Sequence, residues 1–220
     1  MFHSLILAGR CLIFVCVTVG ATWASAETAE PFEIATYLKQ CGGKYFPACN
    51  DFTDLTGTNQ WSMFDHAQKW AKQQGKKVLA ISGYDWCPPC IIDLLSFTSD
   101  GRGIDPRVVA EAQKGYVVLT VDRDMWGAAD VLAKLGMPKN GFHEVAVYDP
   151  VTSKPVAMLP HPNITFGNSL VQKCDNVSKS LTYDYGFNAR LEFLKDPTIN
   201  PLDLVMDRNR VARESCSYSQ

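Results

Sequence analysis

Residues 86–90, with the sequence Trp-Cys-Pro-Pro-Cys, constrain the fold of this chain more than any other stretch. They follow a short apolar run at 78–81 and precede an apolar stretch with helical spacing at 91–95. A strand, a turn and a helix in that order place Cys87 at a helix N-terminus, where unpaired backbone N–H groups and the helix dipole favour a thiolate over a thiol. Because the thiolate is the form that attacks a disulfide, and Cys90 is one turn away, the spacing predicts a reversible dithiol–disulfide pair.

Two other roles for these cysteines remain open. A CxxC motif can supply half of a structural zinc site, but such a site needs four ligands, and the chain has no second CxxC and no HxxxH. A fixed structural disulfide is the other alternative, although Pro88 and Pro89 between the cysteines and Trp86 before them would add nothing to it. The strand–turn–helix context favours the redox-active pair.

The first 26 residues are predicted to be a secretory signal that is cleaved after Ala26. A weakly basic start, with His3 and Arg10, leads into an apolar stretch at 11–19 and then into small residues at 24–26. The apolar stretch is short for a membrane span, so an uncleaved anchor is the lesser alternative. The mature chain is therefore expected to be soluble and exported to the periplasm.

The cysteines outside the signal predict further disulfides. Two of the eight cysteines lie in the signal, and an even number in an oxidising compartment indicates full pairing. Cys41 and Cys49 bracket a short loop that contains glycine and proline, and we expect them to pair. Cys174 and Cys216 then remain, and their disulfide would tie the C-terminal tail to the body.

Charge and length limit the function further. The formal net charge is −2, and losing Arg10 with the signal leaves −3, which predicts neither nucleic-acid binding nor strong attraction to a membrane. A basic cluster near the tail, at 208–213, is interpreted as a solvated helix face. The mature length suits one domain with extensions. We expect an N-terminal extension at 27–60, the main domain at 61–182 and a helical C-terminal extension at 183–220.

The apolar periodicity predicts alternating helices and strands. The predicted helices cover 32–38, 62–74 (capped by Ser62), 91–97, 106–112, 128–135, 169–181, 187–194 and a last segment from 201. The predicted strands cover 78–82, 116–122, 144–148 and 154–159. This order describes an α/β fold in which a central mixed sheet carries helices on both faces.

The same order of elements resembles the thioredoxin fold over roughly residues 60–182. The segment at 76–79 before the CxxC motif, then Val121-Asp122, Leu135-Gly136 and the turn at 148–150, resembles the thioredoxin-like domains of bacterial periplasmic disulfide reductases. The chain before and after this region lies outside the resemblance.

The resemblance implies a role for each residue of the motif. Cys87 would attack the partner and form a mixed disulfide, and Cys90 would resolve it. Pro88 and Pro89 would stiffen the turn and tune the reduction potential. Trp86 would form part of the surface around the sulfur, with an ordinary packed aromatic as the alternative. The expected partners are protein substrates with thiols or disulfides and a membrane electron-transfer or disulfide-relay protein, and no cofactor is expected.

One departure from the thioredoxin pattern concerns the proton of Cys90. Thioredoxins usually carry a buried aspartate six positions before the first cysteine, and Ile81 stands there in this chain. Without that acid, the deprotonation of Cys90 would be slower or would use a different base, such as Asp85 or Glu144. For Asp85, a solvated turn residue is the favoured interpretation.

A second departure concerns the cis-proline that thioredoxin-like proteins place before the strand facing the CxxC motif. His143 stands at that place, and Pro138 in the preceding loop is the alternative. A histidine facing Cys87 could stabilise the thiolate or act as an acid or base near neutral pH. It could also complete a zinc, copper or iron–sulfur site with Cys87 and Cys90. The sequence thus predicts an exported thiol–disulfide oxidoreductase, with a reductant role favoured, and a metal or iron–sulfur protein as the alternative.

Overall fold

Within the residues that the structure describes, a four-stranded mixed sheet carries helices on both faces. The structure is a computed structural model, and it describes residues 28–49, 58–99, 105–141, 143–159 and 190–199. Its helices are α1 (Ile34–Cys41), α2 (Gln60–Gln73), α3 (Pro88–Thr98), α4 (Pro106–Gly115) and α5 (Ala128–Lys134), and residues 190–195 are also helical. Its strands are β1 (Lys77–Gly83), β2 (Tyr116–Asp122), β3 (Glu144–Asp149) and β4 (Lys154–Met158). The predicted α/β class with a mixed sheet is confirmed.

Strand β1 lies at the centre of the sheet, whose order is β2-β1-β3-β4. It pairs with β2 in parallel and with β3 antiparallel, and β4 pairs antiparallel with β3. All of β1 after its first residue is buried, as expected for a continuous apolar strand covered on both faces. Because β1 and β2 are parallel, Gly83 and Asp122 end their strands side by side at one edge of the sheet.

Alternating residues of the strands divide the core into two layers. Val78 and Ala80 pack with α1, α2 and α5 on one face, and Leu79 and Ile81 pack with α3 and α4 on the other. The second layer also contains the cysteines of the CxxC motif and the apolar side chains of the helical segment at 190–195. This layer is called the α3 face below.

The structure places the start of α2 differently from the sequence prediction and confirms a helix start at Cys87. Helix α2 begins at Gln60, because Asn59 is its N-cap and accepts a hydrogen bond from the Ser62 N–H at 2.9 Å. Ser62 is therefore not the cap, but its hydroxyl accepts the Asn59 N–H at 3.0 Å and completes a capping box. Helix α3 begins at Pro88, directly after Cys87 as expected, and proline at the first helical position loses no intrahelical hydrogen bond.

The described part of the predicted N-terminal extension packs against the main domain. Phe32 and Tyr37 are buried in the same cluster as the apolar face of α2. Among the described helices, none combines the length and apolarity needed to cross a bilayer. The predicted signal, the basic cluster at 208–213, the helix at 169–181, the helix from 201 and the proposed Cys174–Cys216 disulfide lie outside the described residues.

Candidate active site

Cys87 and Cys90 form a disulfide at the N-terminus of α3. Cys87 is the N-cap residue with extended backbone angles, and its carbonyl accepts the Ile91 N–H at 3.1 Å. Helix α3 therefore begins as the sequence predicted, with its positive end at the sulfurs and no acidic residue in its first turn. Cys87 keeps an exposed fraction of 4 %, whereas Cys90 has none. An incoming partner would therefore meet Cys87 first.

Gly83 provides the space that Cys90 occupies. A Cβ atom built on Gly83 would lie 2.5 Å from the Cys90 Cβ and 3.0 Å from the Cys90 Sγ, so a larger residue could not stand there without moving the cysteine. The same hypothetical atom would lie 3.0 Å from the ring of Phe46, which is fully buried beside the disulfide. The carboxyl end of β1 is therefore the floor of the site.

Two ionisable residues flank Gly83 across the sheet. Asp122 is its partner in β2. On the other side, the antiparallel register ends at Ser82 with Glu144, and one further step places His143 opposite Gly83. Strand alternation puts both side chains on the α3 face, which also carries the sulfurs. Asp122, Gly83 and His143 thus form one row beneath Cys90.

Asp122 is a buried acid that the sequence argument did not select. It is 3 % exposed, and burial is the main cause that raises its pKa to about 6. The negative charges of Asp124 and Asp85 raise the pKa further, and the hydrogen bond from the Asp124 N–H opposes them. Ile81, where thioredoxins carry their acid, is fully buried as an apolar residue. Asp122 is a charged residue at the end of a buried strand that is parallel to β1. That pattern could have identified it from the sequence.

His143 is held by a carboxylate of α3. Its Nδ1 lies 2.7 Å from Oδ2 of Asp93, three residues after Cys90, and Asp93 also makes a hydrogen-bonded ion pair with Arg190. Burial alone would raise the Asp93 pKa, but the hydrogen bonds and charges of His143 and Arg190 outweigh it and lower that pKa. The sequence predicted His143 at this face, but it predicted neither Asp93 nor the contact of Asp93 with Arg190.

The predicted cis-proline place contains no cis bond. Every peptide bond between described residues is trans, including those of Pro138. Pro138 lies in the loop before β3, where its carbonyl accepts a hydrogen bond from Arg123 at 3.1 Å. His143, which precedes β3 directly, is therefore the residue at the corresponding place in the sheet.

Asp85 lies in a turn and is partly exposed, as the sequence interpretation favoured, but its carboxylate also binds a distant segment of the chain. Its carboxylate accepts backbone N–H groups of three consecutive residues, Lys44 at 3.0 Å, Tyr45 at 2.6 Å and Phe46 at 3.1 Å. Partial burial acts against ionisation, but these hydrogen bonds prevail and lower the Asp85 pKa. The contact was not predictable locally, since about forty residues of sequence separate the partners.

The residues bound to Asp85 belong to a loop that the structure closes by a Cys41–Cys49 disulfide, with Cα atoms 4.7 Å apart. The sequence prediction of this pair is confirmed. The loop is called the 41–49 loop below, and it delivers Phe46 into the wall beside Cys90.

Glu144, the other base considered from sequence, points away from the sulfurs. Val145 and Val147 belong to the α3 face, so the alternation of β3 directs Glu144 to the opposite face. Its backbone N–H donates to the hydroxyl of Ser82 at 3.1 Å. The prediction that Glu144 could be the base for Cys90 is therefore wrong.

Trp86 lies on the surface next to Cys87. It is 66 % exposed and stacks on Tyr84 with ring centroids 4.7 Å apart. The alternative of a packed aromatic is therefore wrong. Pro88 and Pro89 are also exposed, so this side of the disulfide presents apolar and aromatic surface to an approaching chain.

The alternative of a metal or iron–sulfur site on Cys87, Cys90 and His143 stays a prediction. Within the described ranges, no group of three or more histidine, cysteine, aspartate or glutamate side chains is arranged to hold a metal ion. In this structure the two sulfurs are bonded to each other, and Asp93 holds His143.

These residues form a candidate site that can make and break one disulfide beside two ionisable side chains. Cys87 and Cys90 supply the sulfurs, Gly83 supplies the space, and Asp122 and His143 supply the ionisable groups. Their arrangement and the pattern of the sequence carry the functional argument. The chain matches no protein-family model, no curated protein and no solved structure.

Proposed function

We propose that this protein is an exported thiol–disulfide oxidoreductase with a thioredoxin-like fold, and that it reduces disulfides in protein substrates. The observation that carries the proposal is the position of the Cys87–Cys90 pair at a helix N-terminus, with Cys90 buried over Gly83. Cys87 is the N-cap of α3, so its thiolate is stabilised by the N–H groups and dipole of that helix. The parallel β1–β2 pair beside two antiparallel strands is compatible with a thioredoxin-like sheet.

The reaction begins from the reduced pair. The Cys87 thiolate attacks one sulfur of a substrate disulfide, and the other substrate sulfur leaves as a thiolate that takes a proton from water. Cys90 then loses its proton and attacks the Cys87 sulfur of the mixed disulfide. The Cys87–Cys90 bond forms, the second substrate thiol is released, and two electrons have passed from the protein to the substrate.

The surroundings of the sulfurs support each step. Trp86 and the two exposed prolines offer an apolar surface for an unfolded or extended substrate. His143, oriented by Asp93, can hold positive charge near the sulfurs when it is protonated. The oxidised pair must be reduced again by a dithiol donor, for which a membrane electron-transfer or disulfide-relay protein is the proposed partner.

Trapping of mixed disulfides tests the assigned roles. A Cys90→Ser variant should accumulate a covalent complex with a disulfide-containing substrate such as insulin, because its resolving thiol is absent. A Cys87→Ser variant should accumulate none, and a Cys41→Ser/Cys49→Ser variant should resolve its complexes as the wild type does. The products are separated by non-reducing electrophoresis and identified by mass spectrometry.

Two results would contradict the proposal in different ways. Trapping by the Cys87→Ser variant alone would reverse the roles of the two cysteines. Failure of the reduced wild-type protein to reduce insulin, together with no trapping by either variant, would remove the oxidoreductase function itself.

A further inference from the structure

We propose that Asp122 is the group that exchanges a proton with Cys90 during formation and cleavage of the Cys87–Cys90 disulfide. The inference rests on the proposed function and deepens it, because the thiol of the buried cysteine must lose its proton before it can attack. Asp122 would accept this proton from the neighbouring strand β2. Strand β1 has the apolar residue Ile81 at the position where thioredoxins carry their acid.

The register of β1 with β2 carries the inference. Cys90 lies against Gly83, and Gly83 is paired with Asp122. Neighbouring strands are about 4.8 Å apart, so the backbone of Asp122 is one strand spacing from the residue that contacts the Cys90 sulfur. Tyr116 and Val118 of β2 pack on the α3 face, and alternation places the Asp122 side chain on that same face.

The carboxylate is fixed by the turn that follows β2. Its Oδ1 accepts the Asp124 N–H at 2.9 Å, and its Oδ2 accepts no hydrogen bond from a described residue. The strand end is held by Gln60, which accepts the Asp122 N–H at 3.2 Å and donates to the Thr120 carbonyl at 3.0 Å. One carboxylate oxygen is thus occupied by the backbone, and the other is available for a proton.

A second buried polar group lies next to Asp122 on the same face. Thr120 is fully buried, two residues earlier in β2, and its hydroxyl has no hydrogen-bond partner among the described residues. A hydroxyl both donates and accepts, so it can pass a proton or hold a water molecule that does so. Ile81, the partner of Thr120 in β1, contributes no polar atom to this path.

The charges that act on Asp122 keep it protonatable near neutral pH. Asp124 in the adjoining turn and Asp85 in the loop before Cys87 both raise its pKa, in addition to burial. Among the basic groups of the neighbouring elements, the Arg123 guanidinium donates to the carbonyls of Pro138 and Lys139 and to the Ser82 hydroxyl. His143 and Arg190 are both bound to Asp93. An acid that is half ionised near the working pH is suited to both accept and return a proton.

The proposed step balances in both directions. In the mixed disulfide, Asp122 accepts the proton of the Cys90 thiol, and the resulting thiolate attacks the Cys87 sulfur. The sulfur–sulfur bond to the substrate breaks as the Cys87–Cys90 bond forms, and the substrate leaves as a thiolate. Asp122 then releases its proton to the substrate or to water. Asp122 regains a proton from water, and it supplies that proton to Cys90 when a dithiol donor later reduces the disulfide.

The first test uses the wild-type protein, so it does not depend on the folding of a variant. The Asp122 carboxyl carbon is followed by NMR from pH 4 to pH 9 in the oxidised and in the dithiol-reduced protein. Because the two sites exchange a proton, reduction should raise the apparent pKa of Asp122, as a Cys90 or Cys87 thiolate adds negative charge beside it. Identical titration curves in the two forms would overturn the proposal.

The second test measures the resolving step directly. A mixed disulfide of Cys87 with a small aromatic thiol is formed, and release of that thiol is followed by stopped-flow absorbance between pH 5 and pH 8. In Asp122→Asn the release at pH 7 should slow on the order of a hundredfold, and its inflection near pH 6 should vanish. The matched control Asp130→Asn removes an exposed charge on α5 that does not act on Asp122, and it should keep both the rate and the inflection.

The two proposals fail in distinguishable ways. If Asp122→Asn releases the thiol at the wild-type rate with the wild-type pH dependence, Asp122 is not the proton acceptor, although the pair remains redox-active. If the wild-type mixed disulfide is never resolved, the oxidoreductase function itself fails.

Discussion

The Cys87–Cys90 and Cys41–Cys49 disulfides lie at helix ends of opposite polarity, in two different helices. Cys87 caps the N-terminus of α3, where the dipole favours a thiolate, whereas Cys41 is the last residue of α1, where the dipole disfavours one. The first bond is beside Asp122 and exposed prolines, and the second closes a loop whose backbone is bound by Asp85. Helix polarity and surroundings, and not the presence of a disulfide, therefore distinguish the candidate reactive pair from the structural one.

Removing each cysteine pair in turn should give the largest difference in activity between the two disulfides. A Cys87→Ser variant should lose insulin reduction completely, because no other described thiol stands at a helix N-terminus. A Cys41→Ser/Cys49→Ser variant should keep reduction within about threefold of wild type, since it changes the wall of the site and not the sulfurs. The rates are measured by insulin turbidity, with circular dichroism as the control for folding. A complete loss of activity in the second variant would give both pairs a redox role.

Asp122 should make the free energy of unfolding fall as the pH rises. Its pKa is raised to about 6 in the folded protein, so the folded state binds the proton more tightly than the unfolded chain does. The contribution of Asp122 to the free energy of unfolding is fully present below the unfolded pKa and is lost as the pH rises through about 6. The size of the pKa shift limits this contribution to about 3 kcal/mol. Asp122→Asn should therefore be more stable than wild type at pH 7.5 and nearly equal at pH 4.

Urea denaturation at both pH values measures this difference. The Asp130→Asn control should follow the wild-type pH dependence closely, because Asp130 is exposed and does not act on Asp122. A wild-type stability that is flat between pH 4 and pH 7.5 while Asp122→Asn gains nothing would contradict the placement of a buried acid at this position.

Loss of the Cys41–Cys49 bond should cost stability more than function. The bond closes a short loop with a sequence separation of 8 residues, and chain entropy for a loop of that size corresponds to about 2.5 kcal/mol. The Cys41→Ser/Cys49→Ser variant should be less stable by that order in urea denaturation. An unchanged midpoint would mean that the 41–49 loop is held by its contacts alone.

Asp85 should give the smallest effect and the opposite pH dependence to Asp122. Its pKa is lowered, so its contribution is present above the unfolded pKa and is lost as the pH falls through the folded pKa. Asp85→Ala should cost about 1.5 kcal/mol at pH 7, at the low end for hydrogen bonds to a charged group because the loop is partly exposed. Asp65→Ala, which removes an exposed ion pair with Lys69, should cost less than about 0.5 kcal/mol.

Local patterns in the sequence predicted most of the described elements. Strand β2 has the predicted bounds, and Cys87 stands at a helix N-terminus as expected, because both follow from the properties of consecutive residues. The predicted start of α2 was wrong, because Asn59 and Ser62 are both good capping residues. Only the geometry of their reciprocal hydrogen bonds shows that Asn59 is the cap.

Contacts that are distant in sequence were not predictable in the same way. Asp93 reaches His143 across 50 residues and Arg190 across 97, and no periodicity marks such a pair. Asp122 needed the strand order, because its neighbour Gly83 is identified only once β1 and β2 are known to be parallel and in register. The two cysteines of the site could therefore be predicted from the sequence, whereas the contacts of its ionisable residues could not.

The reduction potential of the two disulfides, measured in one sample, tests the central claim most directly. The protein is equilibrated with dithiothreitol or glutathione buffers, its thiols are tagged, and each pair is followed by mass spectrometry. We expect Cys87–Cys90 to titrate reversibly in the folded protein, near the thioredoxin value of about −270 mV for a reductant, while Cys41–Cys49 stays oxidised. A Cys87–Cys90 potential near about −120 mV would make the protein a disulfide donor. A Cys87–Cys90 pair that is reduced only when the protein unfolds would contradict the account.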